Sequence, residues 1–342
     1  MTEELPRITL EDIAERSGVS ISTVSRVVSA SRSVGRDSAI RVKKAMEELG
    51  FEPKKRVRAQ AKPVTIALIM PDTLNPALTA IEIGAQAEAV RLGIGLLILR
   101  ISDNPDVQRP SLNLLSHLPI DAVIFLSRQI EPEDIRKRCR RREMPIVVLE
   151  RVVDSAHVHC IDTDRENGMY QAAKYLISLG HRHIAYIASQ FGEFSEIPFR
   201  GARRAFTEAG LTLAPDFLRW CAPTIEGGFQ AASTLLRLPS GNHPTAVLIF
   251  SDLLAIGVMR AIQTFGFSIP GDISVVGFDN NCFSPYTNPP LTTVAHPQAQ
   301  IGQLAVQTLY DSLNGYNVKQ GGLTLLECPL IVRESTGPCP HM

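Results

Sequence analysis

The residues of this chain best suited to specific chemistry fall into two groups. The first is a compact polar cluster within Leu10 to Val28: Ser20, Ile21, Ser22, Thr23, Ser25 and Arg26. Short hydroxyls suit contacts to phosphate oxygens, and an arginine fork suits the edge of a guanine in a major groove. The second group follows apolar runs further along: Asp72, Thr73 and Asn75; Ser127 and Arg128; Glu150 and Arg151; Ser251 and Asp252; Asp279 and Asn280. Each taken singly is as well explained by helix capping or a solvated loop. The case for ligand contact rests on their shared position after strand-like segments.

The elements that position the first group are two short helices and a tight turn at Gly18-Val19-Ser20. Leu10, Ile13 and Ala14 recur at helical spacing, and so do Val24, Val27 and Val28. Thr9 can cap the first helix, with Asp12 three residues on, and Ser20 can cap the second. Gly18 supplies the corner that a helix-turn-helix needs. A third helix is predicted over residues 37–49, with Ala39, Val42, Met46 and Leu49 inward and Arg41, Lys43 and Lys44 outward. Gly50 and Pro53 stop it. Three helices around one small core make a DNA-reading headpiece, against the plainer alternative of a solvated helical hairpin. The run 53–63 then carries five cations, Lys54, Lys55, Arg56, Arg58 and Lys62, and no acid. Alone it reads as a linker; beside such a head it reads as a basic hinge along phosphates.

Charge supports that division. Formal net charge is zero over 342 residues, yet through residue 62 there are 13 cations against 9 anions, leaving the remainder at −4. A basic head on an acidic body suits a polyanionic partner for the head alone. The N-terminal segment is polar rather than a signal peptide, and no apolar run approaches the roughly 20 residues that span a bilayer. The six cysteines are scattered without a CxxC pair, as expected of reduced thiols. A cytoplasmic, nucleoid-associated protein is the expectation.

From Val64 the pattern changes. Continuous apolar runs occur at Val64–Met70, Gly95–Ile101, Ala122–Leu126, Ile146–Leu149, His183–Ala188, Ala246–Phe250 and Ile273–Phe278. Runs without alternation suit strands of a parallel sheet buried on both faces. Helical stretches fall between several of them, at residues 79–92, 168–179, 199–209, 228–236 and 253–265. The prediction is an N-terminal all-α helix-turn-helix headpiece (1–52), a basic hinge (53–63) and an α/β core (64–342) of two doubly wound lobes, with ligand between them at the carboxyl ends of the strands.

Enzyme signatures are weak. Gly93-Ile94-Gly95 lacks the third glycine of a dinucleotide fingerprint, and there is neither a GxxxxGK[ST] loop nor a GxSxG elbow. His181 and His183 have no partner ligand at useful spacing, so no metal and no cofactor are expected, and no catalytic residue is assigned.

ITLEDIAERSGVSISTVSRVV, YLISLGHRHIAYI, FSDLLAIGVMRAI, IPGDISVVGFDN, PPLTTV and RESTGP occur in this order. From Ile8 to Gly337 the chain resembles the LacI/GalR family of transcriptional regulators. The resemblance implies a homodimer whose paired heads read a partly palindromic operator. It also implies a core like that of periplasmic sugar-binding proteins, with three crossovers near Asp162-Thr163, Leu291-Thr292 and Gly322, and a bound small-molecule effector. Ile21, Ser22 and Arg26 fall on the base-reading positions; Thr9, Ser20, Thr23 and Ser25 fall on phosphate-contacting or capping ones. Lys54, Lys55 and Arg58 fall in the hinge. Thr73, Asn75, Ser127, Glu150, Ser251 and Asp279 are the candidate effector contacts.

Two departures from the family pattern stand out. The hinge leucine that wedges into the minor groove is replaced by Gln60, so the hinge should act mainly through charge and kink its operator less. The arginine that clamps ligand oxygens, three residues before a glycine at a helix start, is replaced by Pro198 ahead of Gly201. Glu150 and Asp279 remain as acceptors for the hydroxyls of a polyol or sugar, without the bidentate guanidinium.

Overall fold

The computed structural model describes residues 10–21, 23–24, 27, 36–49, 64–72, 75–102, 113, 115–126, 133–134, 137, 144–155, 158–190, 193–239, 241–315 and 322–340. These fall into two compact units, one from the first 63 residues and one from the rest.

In the first unit, α1 (Leu10–Ser17) ends at Gly18, whose φ of +66° turns the chain while its N–H donates to Ala14 O at 3.0 Å. Ser20 then caps the next turn: its Oγ accepts from Thr23 N at 3.3 Å, and Ile21, Thr23, Val24 and Val27 are helical. The third helix, here α2 (Arg36–Leu49), lays Val42 and Ala45 against Ile13, Ala14 and Val24, with Met46 and Leu49 at the margin. Ala45 takes the buried place expected for Ala39, which is half-buried.

The second unit contains two six-stranded sheets. The first has the order β11-β5-β4-β3-β1-β2, drawn from β1 (Thr65–Pro71), β2 (Gly95–Ile101), β3 (Ala122–Phe125), β4 (Ile146–Leu149), β5 (Val158–Thr163) and β11 (Leu323–Leu326), all paired in parallel. Strand β1 shows why its sequence is apolar from Ile66 onward. Ile66, Leu68 and Met70 face Ile81 and Ala85 of α3 (Pro76–Leu92) and Ile301 and Ala305 of α8 (Gln298–Leu313). Ala67 and Ile69 face Ile101, Leu115 and Val123 on the other side. Each such fully buried aliphatic side chain is worth about 1.5–3 kcal/mol of transfer free energy.

The second sheet has the order β12-β10-β9-β8-β6-β7, from β6 (Ile184–Ser189), β7 (Leu218–Cys221), β8 (Ala246–Ile249), β9 (Ser274–Asp279), β10 (Thr292–Ala295) and β12 (Leu330–Ile331). It is parallel except for β12, which runs antiparallel to β10. One face packs on α4 (Arg165–Ser178) and α5 (Glu193–Glu208), the other on α6 (Ile225–Leu236) and α7 (Asp252–Thr264).

The lobes exchange chain three times. The first crossing, between Thr163 and Arg165, is where the family pattern puts it. The second is not at Leu291-Thr292, because Thr292 pairs with Val276 inside the second sheet and the chain leaves only after Ala295. The third is not at Gly322: β11 still pairs with β5, and β12 already belongs to the other sheet, so the crossing is residues 327–329. In both places strand pairing holds the chain in its lobe for several residues more than the pattern implies.

Candidate functional site

Two surfaces carry the residues singled out above. On the head, Ile21 is an exposed apolar side chain at the start of the helical turn after Ser20, and Thr23 beside it is half-buried with its hydroxyl 2.9 Å from Ser20 Oγ. An exposed isoleucine next to hydroxyls suits a thymine methyl flanked by phosphates. Thr9, Ser22, Ser25, Arg26, Lys54, Lys55, Arg58 and Gln60 lie outside the described residues.

The second surface is the junction of the two lobes. Glu150 follows β4 in the first lobe; Asp279 ends β9 in the second. Both are buried, and both sit at positive φ, +56° and +114°. A side chain other than glycine held in that region costs on the order of 1–3 kcal/mol, which surrounding structure must sustain. His296, in the second crossing, ties them together. Its backbone N–H donates to Asp279 O at 3.2 Å, and its Nε2 lies 3.3 Å from Glu150 Oε1 and 3.0 Å from Thr163 Oγ1. Burial, then the positive charge of Arg165, pushes the imidazole down to about 3. The Glu150 contact therefore has ion-pair distance but joins a carboxylate to a neutral ring, since desolvation disfavours the imidazolium.

Arg165, at the start of α4 just past the first crossing, is itself 2% exposed. Its Nη2 donates to Asp162 Oδ1 at 2.8 Å and to the Glu150 carbonyl at 3.3 Å, and its guanidinium stacks 4.2 Å from the Phe194 ring centroid. Its Nε and Nη1 are buried with no hydrogen-bond partner among the described residues, and so is Asp279 Oδ2. An unpaired buried polar group costs about 1–3 kcal/mol. Burial first, then the charges of Asp252 and Glu150, pushes the Asp279 carboxyl well above its ordinary range.

Asp252 is buried too but fully engaged. Its Oδ1 accepts from Thr293 Oγ1 at 2.6 Å; its Oδ2 accepts from Asn281 N at 3.0 Å and, closely, from Ser284 Oγ. Burial raises it to about 6 against the pull of these bonds.

The other expected contacts divide. Asn75 caps α3, its Oδ1 accepting from Ala77 N at 3.0 Å, and Ser251 caps α7 through Leu254 N at 3.4 Å. Asn280 accepts from Arg333 Nη2 at 2.6 Å. Thr73 and Ser127 lie outside the described residues. Pro198 stands inside α5, and Gly201 does not open that helix. A Cβ there would be 1.9 Å from Glu166 O of α4, so Gly201 is a contact point between helices. Arg200 is exposed and pairs with Glu166 at 3.1 Å, away from the junction. The structure thus brings Glu150 and Asp279 together and adds Arg165, His296 and Phe194, which spacing in the sequence did not disclose.

Two α/β lobes joined by three crossings, with polar groups of both lobes meeting at the strand ends, define a periplasmic-binding-protein-like core; the first unit is a helix-turn-helix head. Residues 9–54 match the profile of bacterial regulatory proteins of the lacI family, and residues 173–336 that of a periplasmic binding protein-like domain. The chain is 30% identical over 339 residues to the HTH-type transcriptional repressor CytR of Escherichia coli (strain K12), spanning 97% of each. The lac repressor dimer bound to operator and the anti-inducer ONPF superposes with TM-score 0.71 at 27% identity, over 97% of this chain and 100% of that one. The regulator CelR in complex with cellobiose gives 0.69 at 28%, over 96% and 100%. The chain belongs to the lacI family of bacterial regulatory proteins and is a DNA-binding transcriptional regulator. Among the described residues no helix is long and apolar enough to cross a membrane.

Proposed function

We propose that this regulator works in the cytoplasm as a homodimeric repressor. Its paired heads would read a partly palindromic operator, and a hydroxyl-rich effector of the carbohydrate class would be held between its lobes. No catalytic step belongs to this reading. The observation that carries it is the meeting of Glu150 and Asp279, one from each lobe, at the carboxyl ends of their strands. Two carboxylates are acceptors for ligand hydroxyls, and a ligand touching both lobes has differential affinity for their arrangements. That difference is the coupling free energy, typically about 1–3 kcal/mol. The lac repressor dimer with operator and anti-inducer and the CelR–cellobiose complex, both of the same overall fold, support it by likeness.

On the head, Ile21, Ser22 and Arg26 would read bases, Thr9, Ser20, Thr23 and Ser25 would hold phosphates or cap, and Lys54, Lys55 and Arg58 would follow the backbone. At the junction, Thr73, Asn75, Ser127 and Ser251 remain candidate contacts beside Glu150 and Asp279. The test is selection of bound sites from random DNA, followed by a screen of neutral sugars and polyols for altered operator binding. Palindromic sites with a steep salt slope are expected. Binding without sequence preference would overturn the regulator reading, and response only to anionic metabolites would overturn the effector class.

A further inference from the structure

We propose that Arg165 is the guanidinium that reads the effector, its Nε–H and Nη1 N–H groups donating to a hydroxyl oxygen of the sugar. This rests on the carbohydrate-effector reading and adds to it a specificity-determining residue.

Arg165 opens α4 in the second lobe, yet both of its engaged N–H bonds run from Nη2 to the first lobe, to Asp162 Oδ1 at 2.8 Å and to the Glu150 carbonyl at 3.3 Å. The Phe194 ring, in the first turn of α5, lies 4.2 Å from the guanidinium carbon and covers one face of it. That ring meets Phe250, which follows β8, edge-on at 6.0 Å. Arg165 therefore sits where α4, α5 and the carboxyl ends of β4, β5 and β8 converge, at the end of the sheets that also carries Glu150 and Asp279. The guanidiniums of α5, and Arg333 after β12, are committed elsewhere. Arg200 and Arg204 pair with Glu166 at 3.1 and 3.6 Å, Arg203 stacks 5.5 Å from the Phe199 ring, and Arg333 donates to Leu291 O and Asn280 Oδ1.

A guanidinium carries its N–H donors in a fixed planar fork and does not shed its proton in proteins. Here Nη2 is engaged, while the Nε–H and the Nη1 N–H groups are buried with no hydrogen-bond partner among the described residues, on a side chain that is 2% exposed. A buried donor without an acceptor is costly, and Arg165 cannot lessen that cost by becoming neutral. The arrangement is completed by an acceptor brought to it. Asp279 Oδ2, at the end of β9, is the converse, a buried acceptor without a donor. A ligand that meets both needs must accept and donate, and a hydroxyl does each, its oxygen accepting while its hydrogen donates. Hydroxyls on one sugar ring suit this pair of groups. An ammonium, which only donates, and an alkyl chain, which does neither, do not.

The experiment is calorimetric titration of the full chain with D-glucose, D-galactose, D-ribose, cellobiose and ribitol. The tightest of these and its monodeoxy analogues are then titrated into wild type and Arg165→Lys. Lysine keeps the charge and can reach Asp162, but it has neither the Nε–H nor the Nη1 donors. In wild type, removing the hydroxyl read by Arg165 should raise Kd about 10- to 100-fold, as expected for a hydrogen bond to a charged group. Arg165→Lys should raise the Kd of the parent sugar by a similar factor, and in that variant the same deoxy analogue should bind as well as the parent. The other analogues should keep their wild-type ratios, which a residue that only shaped the lobes would not single out. Should Arg165→Lys fail to fold, Phe194→Leu takes its place. It leaves the guanidinium and its Asp162 bond but removes the covering ring, and the loss should again be confined to the same hydroxyl. Sugar binding that Arg165→Lys leaves unchanged, or weakens equally for every analogue, would overturn the assignment of Arg165 and leave the effector class standing. No saturable binding of any of the five to wild type would overturn the carbohydrate class, and this assignment with it.

Discussion

Asp252 and Asp279 lie close together in the second lobe, both buried, both at the carboxyl end of the same sheet, and they have opposite surroundings. Every oxygen of Asp252 is occupied by Thr293, Ser284 or the Asn281 N–H, so that it binds β10 and the loop after β9 to the start of α7. Asp279 has one side-chain oxygen with no partner among the described residues, a backbone in the left-handed region, and two carboxylates nearby. A buried charge with all its bonds made is architecture. A buried charge left short of bonds is held there by its surroundings at a cost, as expected where a ligand or a proton is to be received.

The contrast is sharpest in stability. Asp252→Ala should cost about 3–5 kcal/mol, because Ser284, Thr293 and the Asn281 N–H lose their common acceptor; a fall of several degrees in thermal midpoint would show it. Asp279→Asn should change stability by no more than about 1 kcal/mol while removing response to any effector found by screening. Equal losses of stability in the two variants would erase the distinction. Ser284→Ala, taking one of the three donors from Asp252, should cost about 1–3 kcal/mol by denaturant melt, in proportion to its share.

The pH dependence separates the regions further. His296 is depressed to about 3 from 6.5, so the unfolded chain binds its proton first. Its contribution is whole above pH 6.5 and is lost progressively as pH falls toward 3. Asp252, raised to about 6 from 3.8, acts in reverse: its contribution is whole below 3.8 and is lost as pH rises through 6. The two offset one another between about pH 4 and 6. Replacing His296 by Gln should therefore cost least in acid and most at neutral pH, by thermal melts from pH 4 to 7.5; a constant cost across that range would mean His296 is not neutral in the fold.

Much of the fold was visible because strands buried on both faces must be largely apolar, as residues 66–70 of β1 and 184–188 of β6 are. Strand β5, Val-His-Cys-Ile-Asp-Thr, escaped because His159 and Asp162, at its half-buried positions, interrupt its apolar run. Strands β10 and β12 are short, and the threonines of β10 are buried with their hydroxyls bonded, Thr293 to Asp252 and Thr292 to Thr336 and the Arg333 N–H, rather than because they are apolar. Glu150 and Asp279 were legible since each directly follows an apolar run. Arg165 and His296 were not, since only the crossings carry them to the same point, and crossings are a property of topology rather than spacing. The arginine absent at Pro198 had suggested a junction without a guanidinium; Arg165 supplies one from another helix, though facing Asp162 and Phe194.

Neither lobe is a continuous stretch of chain. The first needs α8 and β11, made long after its other strands; the second needs β12 on its edge and Ser335, whose hydroxyl accepts from Thr292 N and donates to Val275 O. During synthesis both hydrophobic cores must therefore wait, incomplete, for residues 298–335 to leave the ribosome, whereas the described packing residues of the head all lie within the first fifty. A nascent chain would present its DNA-reading head well before it has a finished sensor, and damage within residues 298–335 would undo both lobes at once.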